Sequence, residues 1–400
     1  MTSNSIFYRG STVVAVTIVT VLLLIGGWVI AGITPWLMGV QASSQAQEVD
    51  ALMYTLMYIG GMVFLLVQGL VVWVVIFYRK RAGDETDAAN VHGNAALEFI
   101  WTLIPTITVF ILTIYSYQVF VSTRAPQDNE LVVNVVGQRY AFAFEYEGAA
   151  VNKATGEVQT APVNDNVLRT YVGRPVRLVM NAQDVIHAFW IPSMRVKQDL
   201  LPGRQTELRF TPILPGRYPV VCTELCGGGH GGMRAEILVY PNEESYMAWS
   251  TAAADCQVNP PEDPAVLGQQ ILASGQGNYG CAGCHALDSL GWVGQVGPSL
   301  NGIADRADAR ANASGVASGE EYIYTSVNNS LAYLVPGYAG VMPVWSDEAM
   351  PDETVNAITA YLLTQSADYV PTGPACEVPA FDAVMQAYNA EQSQTIAAAS

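Results

Sequence analysis

The sequence predicts a multidomain chain: transmembrane helices, then a β-sandwich, then a small all-α module. Three observations carry this. Three apolar stretches near the N-terminus are each long enough to cross a bilayer, which takes about 20 residues. From residue 129 to 240 the pattern changes to short β-rich runs. Beyond residue 263, helical patterns flank a compact C-A-G-C-H motif. At 400 residues there is room for two or three domains. The composition, 51% hydrophobic and only 13% charged, fits a membrane-anchored chain.

The apolar stretches cover residues 13–34, 52–78 and 99–121. Arg79, Lys80 and Arg81 follow the second and mark the cytoplasmic side. Residues 49–123 are therefore read as a transmembrane hairpin, with residues 122–400 outside and Arg9 inside. Residues 1–48 add an extra N-terminal helix or a signal segment. A cleaved signal ending at Ala42 is the rival, but the apolar run exceeds the roughly 15 residues of a signal core. A retained helix is expected. No cysteine precedes Cys222, so no lipoprotein anchor is expected.

In residues 124–245 the runs L-V-V-N-V-V, Y-A-F-A-F-E-Y, V-R-L-V-M, T-E-L-R-F and A-E-I-L-V-Y are punctuated by Gly and Pro. Six or more such strands suggest a sandwich. Its candidate ligands are expected on loops at one edge. They are His187 and, in C-T-E-L-C-G-G-G-H-G-G-M (222–233), Cys222, Cys226, His230 and Met233. Thiolate, imidazole and thioether together select a soft or borderline metal, chiefly copper. Zinc could take the two Cys and two His tetrahedrally, but it has little use for the methionine. A disulfide between the two loop cysteines would leave the clustered His, Glu and Met unexplained.

The blocks D-V-I-H-A-F-W-I-P, V-K-Q-D-L-L-P-G-R and the cysteine loop together resemble subunit II of cytochrome c oxidases. The resemblance implies a cupredoxin-like sandwich holding the binuclear copper centre CuA. Cys222 and Cys226 would bridge, His187 and His230 would be terminal imidazoles, and Met233 the weak thioether. Glu224 would ligate through its carbonyl, and its carboxylate would reach a magnesium ion at the subunit I interface. L-E-F-I-W-T-L-I-P (97–105) resembles the start of the family's second helix. It puts Glu98 where the family has a carboxylate at the mouth of a proton channel. Read from residues alone, Glu98 is a solvated acid in a first helical turn, favourable to the dipole. One departure stands out in V-V-G-Q-R-Y-A-F-A-F. Arg139 takes the place expected for a tryptophan that receives electrons from soluble cytochrome c. It makes Arg139 a docking candidate suited to an acidic donor.

C-A-G-C-H supplies two thiols for thioether bonds and an imidazole for iron, Cys281, Cys284 and His285, and so predicts a covalent haem c. A C-x-x-C redox pair is disfavoured by the adjacent histidine. The sixth ligand is expected to be Met342 in G-V-M-P-V-W, with Met350 and Met385 as competitors. Residues 263–380 resemble a class I cytochrome c, whose first helix carries a Gly that lets an aromatic of the last approach. Gly268 and Tyr361 fit that pair. Residues 246–262 read as a Pro-rich linker, and 381–400 as a frayed tail. Cys256 and Cys376 bracket the module without a cofactor and are expected to form a disulfide. C-type haem and disulfides both place these domains outside the cytoplasm.

Residues 256–400 hold fifteen carboxylates and two arginines, a balance of −13 within a net −17. Such a field disfavours nucleic acid and favours a basic partner. Taken together, the chain reads as subunit II of a haem-copper oxygen reductase with a fused cytochrome c, the caa3-type arrangement. It would sit in a bacterial plasma membrane as a multi-pass protein. Its partners would be subunit I and subunit III, membrane lipid and an external donor, cytochrome c or another carrier. Oxygen chemistry and proton translocation would lie with subunit I. A CuA-containing nitric oxide reductase and a free-standing membrane electron carrier are the alternatives.

Overall fold

In hydrocarbon a backbone must satisfy its own polar groups, so long apolar runs become helices. The computed structural model describes residues 4–79, 83, 93–274, 279–347, 349–368 and 378–399. The chain divides into two units, Met1–Gln41 with Gln45–Ala125, and Ala42–Ser44 with Pro126–Ser400.

The first unit contains α1 (Asn4–Ala31), α2 (Thr34–Met38), α3 (Ser44–Phe77) and α4 (Ala95–Arg124). Three helical segments, Val14–Met38, Ser44–Phe77 and Ala95–Arg124, are long and apolar enough to cross a membrane. Large apolar side chains such as Leu22, Val71 and Phe110 point outward, as a lipid-facing surface requires. The helices outrun the apolar windows read from sequence. Polar turns such as S-Q-A-Q-E-V-D continue α3 beyond its apolar part. Asn94 caps α4, accepting from the Leu97 N–H at 3.2 Å.

The second unit begins with two five-stranded sheets. β1 (Leu131–Gln138), β2 (Ala141–Val151), β3 (Val158–Asp165), β4 (Leu168–Tyr171), β5 (Val176–Ala182) and β6 (His187–Ile191) are followed by β7 (Val196–Leu200), β8 (Thr206–Phe210), β9 (Gly216–Cys222) and β10 (Arg234–Tyr240). The strand orders are β3-β2-β1-β5-β8 and β4-β10-β9-β6-β7. Alternation sets the core: in β5, Val176, Leu178, Met180 and Ala182 are buried while the residues between are less so. Phe142 and Phe189 meet edge to face, centroids 5.2 Å apart.

Residues 246–262, expected as a linker, are mostly helical. α5 (Glu243–Val258) starts at an Asn242 cap and buries Tyr246 and Trp249. Trp249 packs on Tyr146 of β2. The missed signal is the N-E-E-S start, an asparagine cap with acids in the first turn.

The helical module follows: α6 (Pro264–Ser274), the short pair β11 (Ala286–Leu287) and β12 (Trp292–Val293), then α7 (Ile303–Ser314), α8 (Gly319–Asn328) and α9 (Asp352–Leu363). The expected Gly268 and Tyr361 approach is present. A Cβ on Gly268 would lie 1.9 Å from the Ala357 carbonyl oxygen and 2.9 Å from Tyr361 Cβ, so only glycine lets α6 cross α9 this closely. Residues 381–400, expected to fray, instead form α10 (Phe381–Ala399). Phe381 is buried edge to face on Tyr240 of β10, and Asp382 pairs with Arg217 at 3.1 Å. The chain thus returns to the sandwich after the helical module, anchored by one aromatic that composition alone did not weight.

Candidate redox centres

Sheet register assembles the first centre. β6 and β9 pair antiparallel, with Phe189 opposite Cys222, which brings His187 at the start of β6 beside Cys222 at the end of β9. Both candidates are strand-end residues rather than loop residues. The loop leaves β9 and returns to β10 through a short 3-10 turn at His230–Gly232. It is closed where the Cys222 N–H donates to the Met233 carbonyl at 3.2 Å.

Within it, Cys222 Sγ lies 4.0 Å from His187 Nδ1, 3.4 Å from the Glu224 carbonyl oxygen and 3.9 Å from Cys226 Sγ. Cys226 Sγ lies 3.5 Å from His230 Nδ1 and 3.7 Å from Met233 Sδ. Donor atoms of His187, Cys222 and Cys226 fall within 4.8 Å of one another, all three residues buried. The six predicted donors therefore converge. The Glu224 residue itself is exposed. Two sulfurs between two imidazoles, with a thioether and a carbonyl, suit a soft metal pair better than a lone hard cation.

Burial opposes ionisation of Cys222, but hydrogen bonds from His187 and from backbone at Ala188 and Glu224 outweigh it and lower its pKa. Burial and the neighbouring Cys222 push Cys226 up.

Two further residues were not found from sequence. Asp184 Oδ1 lies 2.8 Å from His187 Nε2. Its other oxygen accepts from Arg139 N–H at 2.9 Å and Arg139 Nε at 3.0 Å. Burial works against the Asp184 charge, yet bonds from His187, Arg139 and Val185 hold its carboxyl below the ordinary range. The signal was an acid three residues before the ligand in D-V-I-H, which has no meaning until the turn is seen. The second is Tyr140. Its ring covers the cysteine loop: a Cβ on Gly229 would lie 2.5 Å from the ring, while the Arg139 side chain approaches only at Gly227. Arg139, expected where an aromatic would be, pairs instead with Asp184.

The second centre is an apolar cleft partly open to solvent. Cys281, Cys284 and His285 line it, with Ile323, Met342 and Trp345 among the rest. His285 Nδ1 donates to the Pro298 carbonyl at 2.7 Å, which leaves Nε2 unprotonated and open to an acceptor role. Burial lowers the His285 pKa. Burial raises Cys281, to about 12, and also raises Cys284. Such thiols are not primed for redox exchange. The Ser330 hydroxyl donates to the Met342 carbonyl at 2.7 Å and fixes its loop. Met350 borders the same cleft but is 2% exposed within the helical core. Met385 packs against the sandwich core instead. An apolar cleft with one oriented imidazole and two adjacent thiols fits a thioether-bound haem.

The centres are neighbours. A Cβ on Gly283, within the haem motif, would lie 2.4 Å from the Tyr140 carbonyl oxygen.

Residues 31–119 match the family described as "Cytochrome C oxidase subunit II, transmembrane domain", and 131–239 its periplasmic domain. Residues 268–362 match "Cytochrome C oxidase, cbb3-type, subunit III". The "Cytochrome c oxidase subunit 2" of Synechocystis sp. is 35% identical over 288 residues, 59% of this chain and 83% of that protein. The chain belongs to the cytochrome c oxidase subunit 2 family. The namesake of Alkalihalophilus pseudofirmus is 28% identical over 329 residues, 80% of this chain and 87% of its own. The periplasmic domain of subunit II (CoxB) of Bradyrhizobium japonicum aligns at 26% identity with a TM-score of 0.27, covering 33% of this chain and 98% of that one. A subunit 2 with a cytochrome c domain at its C-terminus is the caa3-type fusion. Membership implies CuA in the sandwich and haem c in the helical module. It also implies a membrane-anchored protein with extracytoplasmic redox domains, part of a haem-copper oxidase.

Glu98 lies in the first turn of α4, where its carboxylate accepts from the Asn94 N–H at 3.2 Å. Cys256 is disulfide-bonded, and Cys222, Cys226, Cys281 and Cys284 are free. Cys376, Lys80, Arg81 and His92 lie outside the described residues.

Proposed function

We propose that this chain receives electrons from an external donor and delivers them to subunit I of a haem-copper oxygen reductase. When bound, haem c and CuA each take up and release one electron. Cys281 and Cys284 would attach the haem, with His285 Nε2 and Met342 as its iron ligands. Cys222, Cys226, His187, His230, Met233 and the Glu224 carbonyl would hold the copper pair. The exposed Glu224 carboxylate would face subunit I and a magnesium ion. Glu98 would serve as a proton-channel carboxylate once subunit I covers its helix end; in the chain by itself it caps α4. Cys256 would pair with Cys376. Subunit III and a bacterial plasma membrane complete the assembly.

The observation that carries this reading is the contact between the two centres. The haem motif abuts the turn at Arg139 and Tyr140, and the Tyr140 ring lies on the copper loop. This supports docking of the cytochrome module beside Arg139. The contact uses the Tyr140 backbone and the Gln138 and Ala141 side chains, while Arg139 is paired with Asp184. A module held at both ends, by α5 and α10, keeps its effective concentration high.

The test is metal and haem analysis of the purified chain, followed by rapid mixing with a reduced donor. Copper, covalent haem and haem oxidation coupled to copper reduction are expected. Zinc in the loop, or haem that reduces without passing its electron on, would refute the reading.

A further inference from the structure

We propose that Arg139 and Asp184 are a positioning and tuning pair for the copper ligand His187, in which Arg139 sets how much of the Asp184 charge reaches the metal. The inference rests on the copper reading above and deepens it.

His187 is fully buried and presents Nδ1 to the sulfur pair. A ligating Nδ1 must be bare, so Nε2 carries the proton and donates to Asp184 Oδ1. That bond fixes both tautomer and ring plane, as carboxylates behind metal-bound imidazoles do. Asp184 is itself fully engaged. Val185 N–H donates to Oδ1 at 2.7 Å. Arg139 holds Oδ2 twice, through its main-chain N–H and its Nε. The Asp184 side chain is 23% exposed and Arg139 50%, so water screens the pair only in part.

The signs follow from charge. A carboxylate bonded to the imidazole makes it a stronger donor and favours the oxidised metal. A guanidinium on the same carboxylate draws that charge back and favours the reduced metal. Arg139 also precedes Tyr140, whose carbonyl packs against Gly283 of the haem motif. One dipeptide therefore touches the haem attachment site and, through Asp184, a copper ligand.

The test uses the full chain loaded with copper and haem, with Arg139→Gln, Arg139→Lys and Asp184→Asn. Copper content, the electron paramagnetic resonance of the copper pair and its reduction potential are read. Arg139→Gln is expected to keep its copper and lower the potential. Asp184→Asn is expected to raise it and to weaken copper binding about 10-fold or more. A tenfold change in relative affinity for the two oxidation states corresponds to about 59 mV. Arg139→Lys, which restores the charge without the Nε geometry, should fall between Gln and wild type. Unchanged potentials and spectra, or shifts of one sign in both Arg139→Gln and Asp184→Asn, would overturn the proposal. If Asp184→Asn fails to fold, Arg139→Gln decides alone: a lowered potential supports the pairing and any other result sinks it. A wild-type chain that binds no copper would overturn the underlying copper reading instead.

Discussion

In the sandwich, the metal donors come from two separate stretches of chain, His187 and residues 222–233. They meet because β6 pairs with β9 and the loop returns to β10. In the helical module, Cys281, Cys284 and His285 lie within five residues, and what the tertiary structure adds is a cleft and a carbonyl for His285. The first centre is a product of strand register, the second of a local motif set into a cavity. The two should therefore respond differently to damage. A change in the copper loop should spare the haem, and a change in helix packing should spare the copper.

The largest expected effect is at the copper loop. Cys226 touches Cys222, His230 and Met233, so Cys226→Ser is expected to abolish the copper pair while covalent haem stays at wild-type level. Parallel copper and haem assays check this, and loss of both would break the separation of the centres.

Next is the disulfide at Cys256. If its partner is Cys376, the closed loop exceeds 100 residues and loop entropy gives about 4 to 5 kcal/mol, with less in practice. Cys256→Ser should lower the denaturant midpoint followed at the haem band and leave the copper band in place. Free thiols at both positions in the wild-type chain would remove this contribution.

Helix packing comes third. Gly268→Ala forces a Cβ onto the Ala357 carbonyl, and overpacking of this kind costs about 1–3 kcal/mol or more. Haem-detected unfolding should shift and copper spectra should not. A copper response would show that the modules unfold as one.

The smallest effect tests the join. Asn242 caps α5 by accepting from the Ser245 N–H at 2.9 Å, and its loss is worth about 1 kcal/mol. Asn242→Ala should loosen α5, measurable as faster amide exchange there, with both cofactors retained.

Much was legible in the sequence because it was local. The C-A-G-C-H motif, the cysteine loop and the apolar spans each carry their chemistry within a few dozen residues. The strands β1, β2, β5, β8 and β10 alternate visibly. Polar β3 (V-Q-T-A-P-V-N-D) and β7 (V-K-Q-D-L) do not, since they lie at sheet edges where one side needs no apolar face. The helices α5 and α10 were misread because each is anchored by a few aromatics, Tyr246, Trp249 and Phe381, whose partners lie far away in sequence.

The sequence by itself determined which atoms could bind metal and haem, since ligand chemistry belongs to residue type and short spacing. Only the tertiary structure decided that Arg139 turns to Asp184, that Tyr140 covers the copper loop, and that the haem motif meets the same turn. Those contacts join residues 45 to about 150 positions apart, and their energies depend on a sandwich and a helical module already folded against each other.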